Sequence, residues 1–313
     1  MIAGTFYLQL GAKILIMAIF ALSLDLLVGH TGLVSLGHAA YFGLAAYVLA
    51  LISPKYEAAN LWLALPAAIA AAACAALMIG YLVVRTAGVY FIMATLAFAQ
   101  MLYALFHDSK IAGGSDGIYI LVRPELFIAG YKPLDLESPV QFYYFTLLML
   151  ISVYLFLSRL LRVPFGRALA GIRANEARMR SIGYPVFRYK LGAFVLAGAL
   201  AGLAGSLAAC QFGFVNPDIL AWHQSGIVLM MVILGGMGRL HGPVLGALAY
   251  IMLQEVLSAP ALLGPYAKHW QLALGGLIIV IVLVLPHGIG GAVDVALRRL
   301  SYRNAKIEPT DNL

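Results

Sequence analysis

Long uninterrupted apolar runs are the feature that most restricts what this chain can fold into. Runs of roughly 17–25 apolar residues match the length of a helix that crosses a bilayer. In lipid every backbone N–H and C=O must be paired within the protein, which leaves helix bundles and closed barrels. The runs lack the alternating polarity of barrel strands. We therefore predict an all-α, polytopic transmembrane helix bundle with about eight spans, at about 8–28, 35–52, 61–84, 88–106, 141–161, 190–211, 226–258 and 268–286.

The composition agrees with a protein solvated by a lipid bilayer. Hydrophobic residues make up 63% of the 313 residues, and charged residues make up 11%, against about 25% in soluble domains. The formal net charge is +7, but the basic residues cluster beside apolar runs, as the positive-inside rule describes. We expect no nucleic acid partner. Cys74 and Cys210 lie inside apolar runs and are interpreted as buried thiols, so no metal or redox site is expected.

The charge distribution predicts the orientation of the chain. The segment from Arg159 to Lys190 holds eight basic residues and the single acid Glu176, which predicts a cytoplasmic loop at about 162–189. Acidic residues outnumber basic ones at about 107–140, which predicts an external loop. We expect a transmembrane domain over 1–297 and a cytoplasmic basic tail over 298–313.

Two glycine-rich interruptions divide the apolar pattern, near 29–38 and 235–243. Eight simple crossings would leave the basic tail outside, so we expect 226–258 to re-enter or to form two half-helices. Broken backbone at membrane depth is tolerated only where protein buries it or where it lines a water-filled cavity. His38 matches His241 at an offset of 203 residues, which we interpret as part of an internal repeat. Interrupted segments at corresponding positions of two halves indicate a substrate path.

Polar side chains within the apolar runs are candidates for that path. A polar or charged group in hydrocarbon costs roughly 2–3 kcal/mol on insertion scales. The alternative for each is a hydrogen bond between helices, and Asp25 could simply brace the backbone at the first interruption. The residues in question are Asp25, His38, Gln100, Gln211, His241, Gln254 and Glu255.

A short helix is predicted at 164–185, bracketed by prolines and a glycine. Leu169, Ile172, Met179 and Ile182 recur near helical spacing, which predicts an apolar stripe that enters a groove on a partner. A helix lying on anionic lipid headgroups is the alternative. Glu176-Ala177 followed by Gly183 resembles the cytoplasmic coupling loop of binding-protein-dependent ABC importer permeases, although Arg178 stands where the commonest pattern has a second alanine. The resemblance implies coupling to an ATPase through Leu169, Ile172, Arg173, Glu176, Ala177, Met179, Arg180 and Gly183.

Three further stretches resemble the branched-chain amino acid permease family: GLVSLGHAAYFG at 32–43, VYFIMATLAFAQ at 89–100 and GGSDG at 113–117. The resemblance runs from about residue 15 to 290. It implies two ATP-binding cassette subunits, a second homologous permease subunit, a periplasmic or extracellular substrate-binding protein, and a place in the bacterial inner membrane. The candidates for the substrate path are then Asp25, Ser35, His38, Tyr90, Thr95, Gln100, Ser115, Asp116, Gly236 and His241.

The sequence holds no Gly-x-x-x-x-Gly-Lys-[Ser/Thr] motif, so energy must come from another chain or from an ion gradient. No compact catalytic or metal spacing stands out, so we expect neither an enzyme nor a cofactor. The resemblance implies import of branched-chain or related amino acids. Permeases for urea and short-chain amides resemble the same motifs and stay an alternative. A second alternative is an ion-coupled secondary transporter that uses Asp25 or Glu255 as its titrating group.

Overall fold

A computed structural model describes residues 2–54, 58–128, 131–134, 136–259, 269–292 and 294. The basic tail expected at 298–313 lies outside these described residues. The helices are α1 (Ile2–Val28), α2 (His38–Ile52), α3 (Leu61–Val83), α4 (Val89–Asp108), α5 (Pro139–Arg162), α6 (Pro164–Ala174), α7 (Glu176–Ser181), α8 (Val186–Phe212), α9 (Trp222–Gly235), α10 (His241–Ser258) and α11 (Trp270–Val284). Residues 288–292 are helical again.

Within the described residues, six helical stretches are long and apolar enough to cross a membrane: Gly4–Val28, Leu61–Val83, Val89–Asp108, Pro139–Arg162, Val186–Phe212 and Trp270–Ala292. Helices α2 and α9 are apolar but shorter. At 1.5 Å per residue, the 14 residues of α9 extend about 21 Å, less than the ~30 Å of a hydrocarbon core. The prediction of an all-α, polytopic membrane bundle is confirmed.

Helices α1 and α8 form the centre of the bundle, and each has 78% of its most apolar window buried. Small residues let neighbouring backbones approach α8 closely, because a glycine facing an alanine leaves little between two helices. A Cβ added at Gly202 would lie 2.6 Å from Cβ of Ala72 in α3. Helices α4, α5 and α11 lie at the periphery, with 17–28% of the corresponding windows buried. Their apolar faces point outward, as expected for a protein surrounded by lipid.

Four short strands lie at one end of the bundle. Strand β1 (Ile118–Tyr119) pairs antiparallel with β4 (Phe214–Val215), and β2 (Leu126–Ile128) pairs antiparallel with β3 (Tyr131–Leu134). The sequence patterns did not predict these strands, because two to four residues are too few to show strand periodicity. We call the end of the bundle that carries these four strands the strand end. Helices α5 and α8 run from it to the opposite end, which carries α6 and α7. We call α6 and α7 the connector, and that end the connector end.

Both predicted interruptions of the helical pattern are present. The first break, residues 29–37, separates α1 from α2, and the second break, residues 236–240, separates α9 from α10. Gly32, Gly236 and Gly238 have φ values of 75°, 105° and 80°, which residues with a Cβ rarely adopt. Helices α9 and α10 form a tight hairpin whose backbones touch at Gly246. A Cβ added to Gly246 would overlap the Met231 carbonyl oxygen and would lie 2.8 Å from the Gly235 nitrogen.

Candidate functional site

The two breaks meet at Asp25, near the end of α1. Its side chain is 1% exposed, and Oδ1 accepts a hydrogen bond from the Gly238 N–H at 2.8 Å. The Asp25 carbonyl also accepts from the Gly29 N–H at 2.7 Å. Oδ2 lies 3.6 Å from Nδ1 of His30 and has no hydrogen-bond partner among the described residues. Asp25 therefore braces both breaks, whereas the sequence indicated a contact with the first one alone.

Arg173, in helix α6 of the connector, lies where the two breaks meet. Its Nη1 donates a hydrogen bond to the Gly29 carbonyl oxygen. A Cβ added at Gly238 would lie 3.0 Å from this nitrogen, so the guanidinium also lies against the second break. The positive charge acts electrostatically on Asp25. One connector side chain thus contacts both breaks, and we call Asp25, Gly29, Arg173 and Gly238 the junction.

Two of the four residues in the apolar stripe of the connector are buried within this chain. Leu169 is 0% exposed and Ile172 is 3% exposed, so the expectation that these two side chains enter a groove on a partner is wrong. They are buried because α6 packs against α5 and α8. Met179 packs over Gly171. Ile182 is 66% exposed, and Ala177 and Gly183 are also exposed.

Glu176 fastens the connector to α8. Its Oε1 accepts from Arg180 and its Oε2 accepts from Lys190 of α8, each at 2.5 Å. Partial burial raises the pKa of the Glu176 carboxyl, but the hydrogen bonds and charges of Lys190 and Arg180 outweigh it and lower the pKa below its ordinary 4.5. A lowered pKa means that the stabilisation is fully present above pH 4.5 and is lost as the pH falls through the folded-state pKa.

We expect Glu176→Gln to loosen α7 at neutral pH. The change removes an ion pair with the buried Lys190 and weakens two hydrogen bonds, which costs about 1–2 kcal/mol for partly exposed groups. Amide hydrogen exchange over 176–183 should then become about tenfold faster. Arg178→Gln on the same helix is the matched control, because the Arg178 side chain has no partner among the described residues. Equal exchange in the two variants would contradict the fastening role.

Three substrate-path candidates form a buried layer beside the first break. His38, at the first residue of α2, is 0% exposed, and its Nε2 lies 2.8 Å from Oγ of Ser23. Oγ of Ser35 accepts from the Gly37 N–H at 3.2 Å. Thr95 of α4 is 2% exposed, and a Cβ at Gly37 would lie 3.1 Å from the Thr95 Cβ. The His38–Ser23 contact holds this region against α1, and close packing of Gly37 on Thr95 holds it against α4.

The other path candidates lie elsewhere, so the structure does not gather the whole set. Tyr90 is 80% exposed on α4, and Gln100 is half-buried. Ser115 and Asp116 are exposed near the strand end.

Gly236 and His241 lie at the second break but face the C-terminal segment. Gly236 lies against the backbone of 287–288, and Nε2 of His241 is 3.3 Å from Oδ1 of Asp294. The described residues contain no cluster of three His, Cys, Asp or Glu side chains that could hold a metal ion.

A cavity of about 220 Å³ lies at the strand end between α1, α2, α8, α9 and α10. Gln211 and Gln254, both indicated by the sequence as polar residues in apolar runs, line this cavity. Lys13 lines it as well and was missed, although a basic residue within the apolar run 8–28 was the available signal. The junction, the buried layer at His38 and this cavity are therefore places where polar side chains lie inside the described bundle.

Comparison with known proteins adds an independent line of evidence. A family model described as branched-chain amino acid transport system / permease component matches residues 6–283. The high-affinity branched-chain amino acid transport system permease protein LivM of Escherichia coli (strain K12) is 33% identical over 295 residues, covering 88% of this chain and 68% of that protein.

Two further relatives match this chain with lower identity and lower coverage. The probable branched-chain amino acid transport permease protein LivH of Methanocaldococcus jannaschii is 28% identical over 233 residues, covering 70% of each chain. The autoinducer 2 import system permease protein LsrC of Klebsiella pneumoniae is 32% identical over 146 residues, covering 45% of this chain and 41% of that protein. No solved structure matches.

Proposed function

The chain belongs to the family of permease components of branched-chain amino acid transport systems, and we propose that it is the membrane-spanning subunit of an ABC importer for branched-chain or related amino acids. The family consists of membrane permeases and not of enzymes, and the chain is a multi-pass membrane protein. The observation that carries the proposal is the 33% identity to LivM across 88% of the chain. ATP is hydrolysed on two separate ATP-binding cassette subunits.

The orientation follows from charge and from the path of the chain. The eight basic residues of 159–190 favour a cytoplasmic connector, and the strand end then faces the periplasmic or extracellular binding protein. Helix α11 returns to the connector end, because Gly288 lies against Gly236 of the second break. This arrangement supports a cytoplasmic C-terminus in a bacterial inner membrane, with the α9–α10 hairpin supplying the change of parity. A second homologous permease covers part of the exposed apolar surface.

The junction supplies a route for coupling. An ATPase that contacts the exposed side of the connector, around Ala177, Arg180 and Ile182, displaces α6 when it closes. Because Arg173 contacts Gly29 and lies against Gly238, a shift of α6 moves both breaks together. Small movements at such an interface become larger ones when a packed element has two discrete arrangements. In this proposal the two breaks are the elements that change arrangement.

The similarity to autoinducer 2 permeases makes autoinducer 2 an alternative substrate. The LsrC match covers 45% of this chain, whereas the LivM match covers 88%, so amino acids are the better-supported substrates. Urea and short-chain amides rest on sequence motifs alone.

The test is reconstitution of the complex that co-purifies with the tagged chain. We expect two ATPase subunits and a second permease, with ATP hydrolysis and leucine uptake in proteoliposomes both stimulated by a leucine-loaded binding protein. Unlabelled isoleucine or valine should compete, and urea or autoinducer 2 should not. A chain that purifies alone and takes up leucine in response to a pH jump, without ATP, would refute the proposal.

A further inference from the structure

The cavity at the strand end combines apolar walls with a few polar groups. Phe20 of α1, Phe42 of α2 and Ile227 of α9 line it, and β4 contributes Phe214 and Val215. Small-molecule sites typically have this character, with polar groups that fix the orientation of the ligand. At about 30 Å³ for each water, 220 Å³ holds roughly seven water volumes. That space suits an aliphatic amino acid and is too small for a phospholipid.

Lys13 is the cation of this cavity. It lies within the span Gly4–Val28, and no carboxylate pairs with it anywhere in the described part of the chain. A charged group inside a membrane span is costly and is normally paired with a partner. Within the described residues, Lys13 therefore adds a positive charge without a carboxylate partner to the lining of the cavity.

Gln211 presents the complementary group. Its Nε2 donates to the Gln9 carbonyl at 2.7 Å, which fixes the side chain between α8 and α1. Its Oε1 is buried and has no hydrogen-bond partner among the described residues. A buried acceptor without a donor costs free energy, so a ligand that supplies the donor is favoured. Lys13 and Gln211, which both line the cavity, thus carry an unpaired cation and a buried acceptor without a donor in the described part of the chain.

We propose that this cavity binds the transported amino acid as a zwitterion. The carboxylate binds Nζ of Lys13, the ammonium donates to Oε1 of Gln211, and the aliphatic side chain packs against Phe20, Phe42 and Ile227. The identity of the ligand rests on the proposed function, whereas the pairing of groups rests on the cavity. The cavity lies at the strand end and the junction at the connector end, so the amino acid occupies it before reaching the first break.

A protection experiment tests the site directly. Gln254→Cys, in a chain carrying Cys74→Ala and Cys210→Ala, places one thiol in the cavity wall within the intact complex in nanodiscs. At a leucine concentration about tenfold above its Kd, alkylation by a water-soluble thiol reagent should slow about tenfold. Leucinol lacks the carboxylate and N-acetyl-leucine lacks the ammonium, so neither should protect at that concentration. Lys110→Cys, outside the cavity, is the control reporter that leucine leaves unprotected.

Substitution of Lys13 separates the charge from the fold. With Lys13→Met, the leucine concentration that gives half protection should rise about tenfold or more, the loss expected for a charge-assisted hydrogen bond. Lys13→Arg should restore most of the protection. Equal alkylation with and without leucine, or protection that Lys13→Met leaves unchanged, overturns the site. Protection by phosphatidylglycerol nanodiscs in place of leucine also overturns it and assigns Lys13 to a lipid headgroup.

The experiment uses no ATP, so the two proposals fail separately. Protection by leucine in a complex without ATP-driven uptake supports the site and refutes the importer. ATP-driven uptake without protection refutes the site and leaves the importer standing.

Discussion

We expect Arg173→Ala to separate ATP hydrolysis from transport. Leucine uptake by the reconstituted complex should fall about tenfold or more, the loss expected when a hydrogen bond from a charged donor is removed. Hydrolysis stimulated by the binding protein should stay within about twofold. The reason is that Arg173 bonds the Gly29 carbonyl and lies against Gly238, while the exposed side of the connector stays unchanged.

Arg167→Ala is the matched control for this result. It removes the same charge from the same helix, but within the described residues Arg167 has no hydrogen bond to either break, whereas Arg173 has one to Gly29. Arg173→Lys should fall between the two, because an ammonium keeps the charge and loses the planar fork. Loss of uptake and hydrolysis together, with the ATPase subunits no longer co-purifying, would instead show that Arg173 only holds the connector in place.

Gly246→Val should remove folded protein from the membrane. Helices α9 and α10 touch through their backbones at this point, and an added Cβ would lie 2.8 Å from the Gly235 nitrogen and 2.9 Å from its Cα. Backbone cannot rotate away as a side chain does, so the hairpin must separate, at a cost of about 3 kcal/mol or more. The yield of monodisperse protein in mild detergent should fall about tenfold, and the melting temperature of the remainder should drop.

Gly275→Val provides the comparison. Gly275 lies in α11 with nothing within 4 Å of an added Cβ, so valine there should leave yield and melting temperature unchanged. An equal loss in both variants would mean that valine itself, and not the contact between α9 and α10, is the cause.

The elements of this fold could be predicted where a local pattern determines them. Apolar runs indicate the long helices, and the clustered glycines at 29–38 and 235–243 indicate both breaks, because glycine readily adopts the positive φ values found at Gly32, Gly236 and Gly238. The loop at 107–140 gave no strand signal, because its strands are only two to four residues long and β1 gains its pairing from β4, a segment distant in sequence. Ile118, for example, pairs with Val215.

The contacts of the candidate site were less predictable. An apolar stripe such as Leu169 and Ile172 has the same spacing whether it faces a partner or its own chain, so burial decided the outcome. The sequence identified Asp25 as a side chain whose burial in a membrane span costs free energy. Its hydrogen bond to Gly238 could not be predicted, because it forms only when the two breaks meet in space. Lys13 and Gln211 are separated by most of the chain, and no spacing rule brings them to one cavity.

The central position of α1 has a consequence for how the protein is made. Asp25 finds its donor, Gly238, 213 residues later in the chain, and Gln9 receives its bond from Gln211, 202 residues later. Helix α1 precedes α8, α9 and α10 in the chain, so during synthesis it enters the membrane before them, and the Asp25 carboxylate lacks its Gly238 donor until α9 and α10 follow. The contacts of α1 are therefore completed long after the helix itself is made, and we expect nascent chains that stop before α8 to expose its unpaired polar groups and to misfold.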